Sequence, residues 1–90
     1  MYTIKFDEKV TAIIGLWKKS NPNLYKKFVK ILISIAENPR HGIGHPEPLI
    51  GGEDVLYSRR ISAHDRIIYR IYDKEIYVIV IDVGGHYKDK

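Results

Sequence analysis

Glu47 lies between two prolines in the stretch HPEPL. Proline fixes its own φ and restricts the residue before it, so this carboxylate sits on a stiff piece of chain. His86 follows an apolar run and two glycines, which let the chain turn sharply, and Tyr87 comes directly after it. In RIIYRIY a period of two places Arg66, Ile68, Arg70 and Tyr72 on one side. In LYSRRI the same period groups Leu56, Ser58 and Arg60 opposite Tyr57, Arg59 and Ile61. If Arg60 and Arg66 face the same way, two guanidinium groups line one surface. Their planar forks suit phosphate oxygens and stay charged at any useful pH. An imidazole has the unperturbed pKa best suited to proton transfer near neutrality. Together these are the groups of metal-free phosphodiester cleavage in RNA. One takes the proton from the ribose 2′-OH, arginine neutralises the phosphorane, and one protonates the departing 5′-oxygen. The plainer alternative is that both arginines pair with Asp65, Glu75 or Asp82 on an ordinary wet surface.

Those residues need a scaffold, and the chain can build only a small one. Ninety residues with 44% hydrophobic content point to a single domain, residues 1–90, with one core and a thin margin of stability. There is no cysteine, so neither a disulfide nor a thiolate metal site supplements that core. No apolar run reaches membrane-spanning length, and the first ten residues lack the pattern of a signal peptide. A cytoplasmic protein with no membrane partner is therefore expected. The net charge of +4 is uneven: residues 1–37 carry seven lysines against three acids, whereas residues 38–90 balance eight Lys or Arg with eight acids. Lysines on the first part would attract phosphate through the general field, although a solvated helix face reads the same way. All five arginines and all four histidines lie in the balanced part, which fits a site of particular geometry.

The elements follow from periodicity. YTIKF alternates as a strand. Asp7 can cap a helix in which Val10, Ile13, Ile14 and Trp17 recur at helical spacing. SNPN breaks it and can cap a second helix, through Asn21 with Pro22 just inside or through Asn23. Leu24, Phe28, Ile31, Leu32 and Ile35 form the apolar stripe of that helix, and Asn38-Pro39 stops it. A loop, RHGIGHPEPLIGG, leads to strands expected at 55–61, 66–72 and 75–83, with Asp73-Lys74 as a tight connection between the last two. The predicted fold is α+β, in the order β-α-α-β-β-β. Two N-terminal helices pack on one face of a small, antiparallel-rich sheet and leave the other face for a substrate. The place of the N-terminal strand in that sheet is left open.

The stretches GIGHPEPL, YSRRI, HDRIIY and the closing GHY, in this order and spacing, resemble the YoeB/Txe family of RelE-like toxins. The resemblance runs from the Trp17 helix to Tyr87. It implies a microbial ribonuclease-type fold and a toxin that cleaves messenger RNA in the ribosomal A site. It also implies a cognate antitoxin as partner, no cofactor, and a homodimer as one compatible state. By position, Glu47 matches the family's general base, Arg66 its phosphate-binding arginine, His86 its leaving-group acid and Tyr87 its substrate contact. Arg60 and Arg59 of the SRRI segment are the further RNA-binding residues. The rival function is a non-catalytic RNA- or ribosome-binding module, which would not need the set Glu47, Arg66 and His86.

Two departures from the family pattern stand out. Asp65 directly precedes Arg66 and can pair with it, and Gly84-Gly85 replaces an arginine and an aromatic before His86. His41, His45 and Glu47 have a spacing that evokes a metal site, but they lack helical geometry and a cysteine, so no metal is expected. Trp17 is in phase with the core stripe, and Tyr57, Tyr69 and Tyr77 alternate as sheet packing. Tyr87 is the tyrosine placed to stack on a base.

Overall fold

A computed structural model describes residues 1–49 and 55–85. The described elements are β1 (Thr3–Phe6), α1 (Glu8–Ser20), α2 (Pro22–Glu37), β2 (Glu47–Pro48), β3 (Leu56–Arg60), β4 (Arg66–Tyr72) and β5 (Tyr77–Gly84). The five strands form one sheet in the order β1-β5-β4-β3-β2. β1 pairs parallel to β5, and the other pairs are antiparallel. The α+β architecture is the expected one, and the sheet order places the N-terminal strand at the edge farthest from Glu47.

Asp7 holds the N-cap position of α1 with extended backbone, but its side chain makes no capping bond. The break between the helices uses Asn21, whose side chain accepts from the Leu24 amide at 3.4 Å, with Pro22 at the first turn. Pro22 has no N–H to lose there, so it starts the helix at no cost in hydrogen bonding. The apolar stripe of α2 buries Leu24, Phe28, Ile31 and Ile35 against Val10 of α1 and against the sheet. Trp17 stands edge-on to Phe28, with centroids 5.9 Å apart, and belongs to this packing. Each fully buried branched or aromatic side chain here stabilises the fold by about 1.5–3 kcal/mol.

The sheet sends alternate residues into that core. Tyr57, Ile67, Tyr69, Ile71, Val78, Val80 and Val83 are all buried. The phase changes within β5, because Val78 and Val80 are even-numbered and Val83 is odd. The register explains it: Ile68 pairs with Asp82 but Tyr69 pairs with Val80, so Ile81 is an extra residue, a bulge. Without it Asp82 would be driven into the core. With it, Val83 points inward and Asp82 shares the open face with Ile68.

The β4–β5 connection is longer than expected. Tyr72 pairs with Tyr77, so the turn spans residues 73–76, and β5 begins at Tyr77 instead of residue 75. Ile76 there adopts φ 57°, a left-handed conformation that a β-branched residue rarely takes. Asp73 in this turn receives both terminal nitrogens of Arg40, each at 3.0 Å, and the Tyr2 hydroxyl at 2.9 Å. These bonds tie the chain start, the beginning of the loop after α2 and the hairpin together. They hold the Asp73 carboxyl below the ordinary carboxylate range, the Arg40 bond being the larger cause and the Tyr2 bond the next.

Candidate active site

The loop that carries Glu47 is fixed from inside the protein by Arg59. This side chain is fully buried. Its Nε donates to the Tyr69 hydroxyl at 2.9 Å, and Nη1 donates to Ser34 Oγ at 2.7 Å and the Ile43 carbonyl at 3.1 Å. Nη2 donates to the carbonyls of Asn38 at 2.6 Å and His41 at 3.2 Å. A guanidinium has five N–H groups, and these five acceptors use all of them. The Tyr69 hydroxyl in turn donates to the Pro39 carbonyl at 2.6 Å. None of the acceptors is a carboxylate. The compensating partial charges are those of these oxygens, including the C-cap carbonyl of α2 at Asn38, where the last turn contains no basic residue of its own. Burial is also the first cause that raises the Tyr69 hydroxyl above its ordinary pKa, against the opposing bond from Arg59.

This corrects the expectation that Arg59 contacts RNA. It lies on the helix-facing side of β3 with Tyr57 and Ile61, and no N–H remains for a ligand. The loop glycines serve the same close approach. A side chain on Gly42 would strike Ser34 and the Arg59 guanidinium, and one on Gly44 would meet the Arg60 carbonyl at 2.7 Å. Gly44 also accepts from the Arg60 amide at 2.6 Å. His45 follows at φ 53° and is exposed, just before Pro46. Beyond it Glu47 pairs with Ser58, and the Leu49 amide bonds the Leu56 carbonyl at 2.8 Å. Glu47 is thus not on a free loop: it sits in a two-residue strand that sequence periodicity could not reveal.

On the other face of β3, Glu47, Arg60 and Arg66 come together. Arg60 and Arg66 are direct cross-strand partners, and Arg66 in turn pairs with Gly84 of β5. One pair further along the same face runs Glu47, Ser58, Ile68 and Asp82. Arg66 Nη1 reaches across β3 to Glu47 Oε1 at 3.8 Å, with the arginine side chain 21% exposed and the glutamate 58%. A pair this long and wet is worth about 0–1 kcal/mol, so it contributes little to folding and yields readily to a competing anion. Two like charges directly opposite on a sheet are unfavourable by themselves. Arg60 is exposed and has no ion pair or side-chain hydrogen bond among the described residues. The face therefore presents two adjacent cations, with the Glu47 carboxylate beside them and Asp82 farther along its row.

Asp65 does not neutralise this site. Its carboxylate accepts from Ser62 Oγ at 2.9 Å, and its carbonyl accepts from the Ile61 amide at 2.8 Å, so it closes the β3–β4 turn. The Ser58 hydroxyl, in the Glu47 row, is buried and has no hydrogen-bond partner among the described residues. No periodic signal marked it. Among the described residues no group of three or more His, Asp or Glu side chains comes together to hold a metal.

His86 and Tyr87 lie outside the described residues. What leads to them is clear: Gly84 has φ 111°, and a side chain on Gly85 would collide with the His64 carbonyl. Both glycines are demanded by the local backbone, which turns against the β3–β4 connection beside Arg66.

Residues 6–87 match the family model of a YoeB-like toxin of bacterial type II toxin–antitoxin system. The chain belongs to that family. A Synechocystis protein named Toxin YoeB is 38% identical over 74 residues, which is 81% of this chain and 84% of its own length. Among solved structures, a YoeB/ParE toxin from Agrobacterium tumefaciens superposes with a TM-score of 0.85 at 26% identity, covering 94% of this chain and 99% of its own. A chain of the YoeB–YefM complex from Staphylococcus aureus gives a TM-score of 0.81 at 28% identity, covering 97% and 99%. Among the described residues no helix is long and apolar enough to cross a membrane.

Proposed function

We propose that this YoeB-like toxin is an endoribonuclease that cuts messenger RNA in the ribosomal A site. Glu47 takes the proton from the ribose 2′-OH, and the 2′-oxygen attacks the adjacent phosphorus. Arg66 and Arg60 neutralise the phosphorane. His86 protonates the departing 5′-oxygen as the P–O5′ bond breaks, and Tyr87 stacks on the nucleotide. The products are a 2′,3′-cyclic phosphate and a free 5′-hydroxyl. The observation that carries this reading is the Glu47–Arg66 pair beside Arg60 on the face away from the helices. A phosphate can replace Glu47 as the partner of Arg66, leaving the carboxylate free beside the scissile group. No step draws on a metal, so cleavage should persist in chelator once the ribosome's own magnesium is supplied.

The family also supports a cognate antitoxin for this chain. The seven lysines against three acids in residues 1–37 suit an acidic segment that folds on binding. The test of the catalytic reading uses ribosomes programmed with a defined message. A new 3′ end at the A-site codon, bearing a cyclic phosphate and lost when the attacking hydroxyl is replaced by hydrogen, is the expected result. Stalling without a cut would leave a ribosome-binding module in place of an enzyme. Strong cleavage of protein-free RNA would instead indicate a general nuclease.

A further inference from the structure

We propose that Arg59 is the positioning residue for Glu47, acting through the loop of residues 38–46; this rests on Glu47 being catalytic as set out above. Glu47 is exposed in a two-residue edge strand, so its place depends on what anchors the chain before it. Arg59 supplies that anchor: three of its five bonds go to loop carbonyls, those of Asn38, His41 and Ile43. A fourth goes to Tyr69, which holds the Pro39 carbonyl, and the fifth to Ser34, which also accepts from the Ile43 amide at 3.3 Å. One residue along β3, the Arg60 amide fixes Gly44, and Ser58 fixes Glu47 itself. The same short strand therefore clamps the loop from the core side and presents the phosphate-facing arginine on the other. Arg66 and Arg60 are held by the β3–β4 ladder and do not need the clamp. Loosening it displaces the carboxylate relative to the cations while leaving the cations in place.

Lysine keeps the charge of Arg59 but offers three donors from a single nitrogen, so it cannot satisfy acceptors spread over five groups. Displacing a reacting group by about 1 Å can cost on the order of 10²-fold in rate. Arg59→Lys should therefore slow single-turnover cleavage on programmed ribosomes by about 10- to 100-fold. The same change in a Glu47→Ala background should cost little more, because the group being positioned is already gone. In an Arg66→Ala background it should cost its full factor. Hydrogen exchange gives a readout independent of activity. In Arg59→Lys the amides of Arg60 and Leu49, which bond Gly44 and Leu56, should lose protection, while the Asp7 amide, bonded to Val80 across the sheet, keeps its own. Should Arg59→Lys fail to fold, Tyr69→Phe removes one acceptor and the Pro39 tie, and the same pattern is expected at smaller amplitude. An equal loss of rate in the parent and in Glu47→Ala would overturn the positioning role, as would unchanged protection at Arg60 and Leu49. If Glu47→Ala itself cuts at the parental rate, the catalytic assignment of Glu47 falls and the positioning proposal with it.

Discussion

Arg59 and Arg60 are neighbours on one strand with opposite fates. Arg59 is buried with every N–H bonded to a neutral oxygen, and Arg60 is exposed, directly opposite Arg66 with no ion-pair partner among the described residues. A strand's period of two makes this separation automatic, since adjacent residues must point to different faces. The difference shows that a guanidinium has two uses in this fold. On the helix side its fork of donors organises carbonyls of the loop that leaves α2. On the open side its charge is left unspent, which is what a phosphate site requires.

The comparison breaks most visibly in stability. Arg59→Ala leaves several buried acceptors without donors, each worth about 1–3 kcal/mol, so a loss of roughly 3 kcal/mol or more is expected in urea unfolding. Arg60→Ala should stay within about 0.5 kcal/mol of the parent, or gain slightly by relieving the like-charge pair with Arg66. Equal costs for the two would erase the distinction drawn between the faces.

Ser58 sharpens it from a third side. Its hydroxyl is buried in the row of Glu47, with no partner among the described residues. Ser58→Ala should therefore stabilise the free protein, by about 1 kcal/mol, as the desolvation cost of that group disappears. A destabilisation would mean that the hydroxyl is satisfied in solution.

The smallest effect concerns Asp73. Its carboxyl is held below the ordinary value of 3.8 by Arg40 first and Tyr2 second. A depressed carboxylate contributes stability above its unfolded pKa and loses it as pH falls through the lower folded value. The Arg40–Asp73 clasp should thus be intact at neutral pH and fade only below about pH 4. Asp73→Asn should flatten that acid limb, and because the carboxyl is half exposed the difference should shrink further in high salt.

Much of this could be read from the residues. Strand β4 runs over the expected 66–72, and the alternation in LYSRRI already grouped Arg59 with Tyr57 and Ile61. That grouping was the available sign that Arg59 faces the core. What misled was its residue type, because an arginine is expected at the surface unless paired. The bulge at Ile81 was hidden because IVID is apolar around an acid and has no glycine to mark it. The four-residue turn was hidden for a related reason: an isoleucine occupies a left-handed position that sequence rules reserve for glycine or asparagine. Strand β2, two residues long and half proline, leaves no period to detect. The pairing of Glu47 with Ser58, and hence its approach to Arg66, is a tertiary fact that local pattern does not contain.

The central claim is that Glu47, Arg66 and His86 act on one phosphodiester. Its most direct test is single-turnover cleavage on programmed ribosomes by Glu47→Ala, Arg66→Ala and His86→Ala, each first shown to fold and to bind its antitoxin. Each loss of a general acid or base should lower the rate by about 10²- to 10⁴-fold. The arginine change should be at least as severe, because it removes charge stabilisation as the phosphorane forms. A Glu47→Ala, His86→Ala or Arg66→Ala protein that cuts as fast as the parent would contradict the account.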